Sequence, residues 1–182
     1  MSPQPMSPKR RFLSAVFGGR VDRTPVGSPT SVTNVEQMEM TGAFFPDVHL
    51  DGQKMARLAA GAYEILGYDA IMPIFSVAQE AAALGCEMDW GAIDEMPTPR
   101  NHPWATPDDV VIPDSFLAHA AISTVLEAIR MLRDEYPHVA IIGKVMGPWT
   151  MAYHMHGLEP FLIATLDAPD MVRRLLDRLR AI

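Results

Sequence analysis

Residues 51–73 read DGQKMARLAAGAYEILGYDAIMP, and this stretch decides the fold class. Asp51 is a capping residue ahead of an apolar stripe of Met55, Leu58, Ala59, Ala62, Ile65 and Leu66, and Gly67 supplies the stop. Asp69-Ala70-Ile71-Met72-Pro73 follows as a buried strand. With a short strand predicted near Pro25–Pro29, the segment makes a strand–helix–strand unit, the mark of a parallel α/β fold.

Working outward, the N-terminal side gives a short amphipathic helix from Lys9 to Phe17 and a second helix from Ser31 to Gly42. On the C-terminal side a short alanine-rich helix spans Val77–Leu84. Five prolines then mark residues 86–113 as a surface excursion. A helix starting at Asp114 or Ser115 carries Leu117, Ala121, Val125, Ala128, Ile129 and Leu132 on one face and stops at Tyr136-Pro137. Val139 to Met146 is a continuous apolar strand, as expected where both faces are covered. Helical segments resume at Trp149–His156 and Glu159–Leu166, and Asp167-Ala168-Pro169 opens a last amphipathic helix. Strands beginning near 25, 69 and 139 leave room for about three parallel strands, and such a sheet has an open apolar edge. The spacing therefore predicts the N-terminal part of a larger barrel, incomplete in this chain, over residues 9–182, with residues 1–8 as a disordered tail.

Composition narrows the function. The 182 residues hold 15 Lys+Arg against 22 Asp+Glu, a formal charge of −7. The bases Lys9, Arg10, Arg11, Arg20 and Arg23 gather at the N-terminus, leaving an acidic body that speaks against a nucleic-acid groove. No apolar run approaches a membrane span. Cys86 is the single cysteine, which excludes an internal disulfide framework and points to a reducing, cytoplasmic setting. The 13 methionines read as flexible core filler.

Several local motifs are more specific. Val21-Asp22-Arg23-Thr24-Pro25, Gly67-Tyr68-Asp69-Ala70-Ile71, Ala83-Leu84-Gly85-Cys86-Glu87-Met88-Asp89-Trp90-Gly91, Gly147-Pro148-Trp149-Thr150-Met151-Ala152-Tyr153 and Gly157-Leu158-Glu159-Pro160-Phe161 occur in this order. Together they resemble the uroporphyrinogen decarboxylase superfamily, and within it the methylcobamide:thiol methyltransferase branch. The resemblance implies a (β/α)8 TIM barrel of roughly twice this length. It departs from the decarboxylases at three places. Gly27 to Gly42 holds no arginine or lysine where they carry an Arg-rich loop for a polycarboxylate substrate. Phe75-Ser76 is followed by Val77 in place of their Asp, and His154 stands where they have Tyr.

The methyltransferase resemblance implies a methyl group moved from a corrinoid partner protein to a thiol or related acceptor, with zinc activating the thiol. The branch's zinc ligands, a His-x-Cys motif and a distant Cys, are expected on later strands, so no zinc ligand is assigned in this chain. Glu80 matches the first of the branch's two acidic residues; Ala82 replaces the second. Family barrels place their sites after the strands. That selects Thr30 and Ser31, then Glu80 and His154 as candidate catalytic residues, with Ser76, Gln79, Met146, Gly147, Trp149, Thr150 and Tyr153 as candidate substrate-binding residues. Gly147-Pro148 would leave the N–H groups of Trp149 and Thr150 at a helix start, where an anionic tail can bind. His154 and His156 point apart on a helix and do not share an ion; His49, His102, His119 and His138 receive no role. Two alternatives stay open: a decarboxylase-like enzyme acting on a tetrapyrrole, and a non-catalytic half-barrel whose open edge is covered by another chain or a second copy. The isolated chain is expected to lack turnover.

Overall fold

The computed structural model describes residues 5–182. In chain order the elements are α1 (Pro8–Val16), α2 (Val35–Thr41), α3 (Gly52–Glu64), β1 (Ala70–Ile71), α4 (Gln79–Ala83), β2 (Met88–Asp89), β3 (Thr98–Pro99), α5 (Ala120–Glu135), β4 (Ala140–Ile141), α6 (Pro148–His156), α7 (Leu158–Asp167) and α8 (Pro169–Leu179). They divide into two compact units, Met1–Phe75 with Thr124–Lys144, and Ser76–Ser123 with Val145–Ile182. Among the described residues no helix is long and apolar enough to cross a membrane.

In the first unit Asp51 caps α3 as expected, its Oδ1 accepting the N–H groups of Gln53 and Lys54 at 2.9 Å each. Met55, Leu58 and Ala59 then bury against Met38, Val48, Ile71, Val125, Leu132 and Val139. β1 and β4 pair in parallel, Ala70 with Ala140 and Ile71 with Ile141. The apolar runs are thus real, but each ladder is only two residues long. Met72, Ile74 and Phe75 stay buried without belonging to a strand, whereas Val145 is 85% exposed. An apolar run reports burial; a strand also needs a partner backbone in register.

The strand expected near Pro25–Pro29 is not formed. Val26 instead accepts the Asp69 N–H at 2.6 Å, and its own N–H donates to the Asp69 carboxylate at 2.8 Å. A side chain takes the place of a neighbouring strand. That carboxylate belongs to a buried ion network. Arg11 Nη1 donates to Asp69 Oδ1 at 2.6 Å, and Arg11 Nε to Asp22 Oδ1 at 2.6 Å. Arg23 completes it from the surface with bonds of 2.8 and 2.9 Å to Asp69.

The network corrects two expectations about the N-terminus. α1 is fastened chiefly by its arginine: Arg11 is its buried residue, Phe12 is half-buried beside Gly27, and Leu13, Val16 and Phe17 are exposed. Nor are residues 5–8 a disordered tail. Ser7 caps α1, Pro8 begins it, the Met6 N–H donates to Asp22 and the Met6 carbonyl accepts from Arg11. The rest of that predicted tail, residues 1–4, lies outside the described residues.

The second unit is mainly helical. Phe161, Met155, Leu175, Met151 and Trp104 make its core, with Val172 and Leu179 of α8 facing inward as their spacing predicts. The proline-marked excursion contains an antiparallel pair, Met88 with Pro99 and Asp89 with Thr98. α5 begins at Ala120, later than expected. His119, extended at φ −60° and ψ 139°, separates it from a 3-10 turn at Phe116–Ala118. Leu117 consequently leaves the apolar stripe and is exposed.

Candidate functional site

All the candidate catalytic and substrate-binding residues after Phe75 fall in the second unit. Ser76 and Gln79 are buried at the start of α4. Ser76 Oγ donates to Gln79 Oε1 at 2.6 Å, which fixes the carboxamide; its Nε2 has no partner among the described residues. A buried amide donor left open is uncommon and marks a place where an acceptor belongs. One residue on, Glu80 Oε1 accepts the Met146 N–H at 2.8 Å. A carboxylate on α4 thereby holds the main chain just ahead of α6.

That turn is built as its sequence requires. Gly147 is the N-cap and Pro148 occupies the first helical turn, where its missing N–H costs nothing. The Met151 N–H makes a helical bond to Gly147 O at 3.0 Å, so the N–H groups of Trp149 and Thr150 precede the intrahelical ladder. Trp149 is 51% exposed, its ring edge-on to Phe161 at 4.8 Å. Tyr153 is half-buried and stacks on His154 at 4.7 Å.

The His154 ring is buried and its Nδ1 has no partner among the described residues. Burial pushes its pKa below the ordinary imidazole value, and the neighbouring His102 adds to this. It is therefore a neutral group at neutral pH, suited to hydrogen bonding and not to charge pairing.

Cys86 is buried, donates Sγ–H to Asn101 O at 3.0 Å, and has its thiol pKa pushed up by burial. These are the properties of a structural thiol. Thr30 and Ser31 belong to the first unit, where exposed Thr30 bonds locally to Ser28. Two clefts of about 570 and 420 Å³ also lie in the first unit, and none of the candidate residues lines them. Among the described residues no group of three or more His, Cys, Asp or Glu is disposed to hold a metal ion. The residues present therefore do not fit a resident zinc.

Sequence reasoning missed the loop that bears on α6. His102 Nδ1 lies 2.7 Å from His154 O, the Trp104 N–H donates to Met155 O at 2.9 Å, and His156 Nδ1 lies 2.8 Å from Trp104 O. Nothing in a proline-rich excursion signals such a pairing, because it has no period. Gly157, which ends α6, is also specified here: it has φ +96°, and a Cβ on it would approach His102 Cδ2 to 3.2 Å. Gly157→Ala is expected to cost about 2 kcal/mol in urea unfolding, combining backbone strain with displacement of that ring. An unchanged midpoint would show that the turn relaxes freely.

Residues 7–182 match the family model described as uroporphyrinogen decarboxylase (URO-D), and the chain belongs to this family. It is 38% identical over 173 residues to a methylated-thiol–coenzyme M methyltransferase of Methanosarcina mazei, covering 94% of this chain and 47% of that protein. A methylcobamide:CoM methyltransferase of the same organism is 32% identical, with 94% of this chain and 51% of the relative covered. A solved methyltransferase structure from Methanosarcina mazei superposes with a TM-score of 0.90 at 31% identity, covering 96% of this chain and 52% of its own. The chain thus spans about half the length of the relatives it matches.

Proposed function

We propose that residues 9–182 supply the N-terminal share of a (β/α)8 barrel methyltransferase that moves a methyl group from a methylated corrinoid protein to a thiol. The observation that carries this reading is the 38% identity to a methylated-thiol–coenzyme M methyltransferase over nearly the whole chain. The arginine-free segment Gly27–Gly42 supports it against tetrapyrrole decarboxylation. In the reaction the thiol gives its proton to solvent, the sulfur forms a bond to the methyl carbon, and the cobalt–carbon bond breaks with its electron pair left on the corrinoid. No step is assigned to zinc, for which the described residues hold no ligand cluster.

The roles proposed for this chain's residues follow from their contacts. Gln79 Nε2 and the first N–H groups of α6 are donors for the acceptor's anionic tail. Neutral His154 offers Nδ1 to the acceptor, and Trp149 and Tyr153 supply aromatic walls. Glu80 acts by holding the Met146 turn, for which an uncharged acceptor suffices. This is tested in a chimera joining residues 1–182 to the remaining half of the Methanosarcina mazei relative. Glu80→Gln is expected to stay within about threefold of the parent rate, and Glu80→Ala to fall at least tenfold. Equal losses in both variants would instead assign the carboxylate's charge to the chemistry.

One observation favours assembly as a second reading. Leu158, Leu162, Ile163 and Leu166 leave an apolar face of α7 exposed. Size-exclusion chromatography of the 182-residue chain separates the two, since a monomer at high concentration would speak against a self-assembling module.

A further inference from the structure

α6 ends with carbonyl groups that its own helix cannot satisfy. The Gly157 N–H takes Tyr153 O at 3.0 Å, which leaves those of the following residues open. The loop at residues 101–104 supplies what is missing: an imidazole nitrogen of His102 for His154 O and the Trp104 N–H for Met155 O. The helix returns the bond, since His156 Nδ1 meets Trp104 O at 2.8 Å. Trp104 itself is buried beside Met151, Met155 and Phe161. A carbonyl only accepts, so each Nδ1 in these contacts carries the proton.

We infer that His102 and His156 are positioning residues of the candidate site, a reciprocal Nδ1–H clamp that bolts the 101–104 loop across the last turn of α6 and thereby fixes Tyr153 and His154. The inference rests on the reading of α6 as the site's helix, and it makes the excursion after α4 a working part of that site. The ring of His102 also lies against the helix stop, where a Cβ at Gly157 would crowd it. Neither histidine touches the proposed substrate; both act through the main chain.

The test uses the 182-residue chain and needs no turnover. Long-range proton–nitrogen spectra of the imidazoles are expected to show His102 and His156 in the Nδ1–H form. His102→Asn places an amide nitrogen where Nδ1 stood, whereas His102→Leu fills the space without a donor. Exchange of the Trp104 amide is expected to accelerate about tenfold in His102→Leu and to return within about threefold of the parent in His102→Asn. The Tyr153 ring-current shift on His154 should be lost and restored in the same two variants. Nε2–H rings in the parent would overturn the clamp, and so would Asn and Leu variants that behave alike. The parent spectra decide the question even if His102→Leu fails to fold. Because none of these readouts involves methyl transfer, failure of the clamp and failure of the proposed reaction are distinguishable.

Discussion

Asp69→Ala is expected to destabilise the first unit by about 2–4 kcal/mol, the cost of breaking a buried ion pair and leaving the Val26 N–H unpaired. Asp69 is 1% exposed and receives Arg11, Arg23 and the Val26 N–H. Its removal takes one of two carboxylates from the buried Arg11 guanidinium, which keeps Asp22, leaves the Val26 N–H unpaired and frees the segment that stands where a strand was expected. Arg23→Ala is the control: its side chain is half exposed, and an exposed partner is worth about 0–1 kcal/mol. Urea unfolding followed by circular dichroism measures both. Equal, small losses would show that the network is not what fastens α1. The same carboxylates set an acid limit. Burial pushes the Asp69 pKa up, but the Val26 N–H and the two guanidinium groups outweigh it and hold it below the usual range; the Arg11 contact does the same for Asp22. Their contribution is present above the unfolded carboxylate value of about 4 and is lost as pH falls through the lower folded values.

The second large effect lies at higher pH. His49 is fully buried in the 3-10 turn Asp47–His49, its ring stacked on Phe45 at 4.6 Å. Burial pushes its pKa down to about 4 from 6.5. The unfolded chain therefore binds a proton first as pH falls. Stability contributed by the neutral folded ring is complete above about pH 6.5 and declines by about 3 kcal/mol between there and pH 4. Urea midpoints measured from pH 7.5 to 4.5 should fall steadily in the parent and stay nearly level in His49→Phe. A parent curve that is flat over this interval would contradict the assigned burial. This window lies above that of Asp69, so the two effects separate.

Capping and stop signals were readable because they are local. Asp51 caps α3, Gly42 ends α2, and Pro148 opens α6 where the composition of each segment requires it, whereas α3 closes at Ile65, ahead of the expected stop at Gly67, and leaves Ile65 and Leu66 exposed. The continuous apolar runs and helical stripes located the buried segments but could not report pairing, which belongs to two distant backbones. Hence Val139–Met146 was legible as apolar and not as a two-residue strand. Arg11 was legible as a charge and not as the anchor of its helix, because its partners lie 11 and 58 residues away. In the candidate site, the residues selected after Phe75 occupy one unit, apart from Thr30 and Ser31, and include a Glu80–Met146 bond that spacing alone does not reveal. The His102–His154 contact was illegible for the same reason: it joins a loop to a helix end across 52 residues without any repeating pattern.

The most direct test is product identification with the parent chimera of residues 1–182 and the second half of the Methanosarcina mazei relative. Supplied with a methylated corrinoid and a small thiol, it should demethylate the corrinoid while a methyl thioether accumulates in equal amount. A chimera that folds cooperatively yet leaves the corrinoid methylated, or that removes carboxyl groups from a tetrapyrrole instead, would contradict the assignment of this chain to methyl transfer.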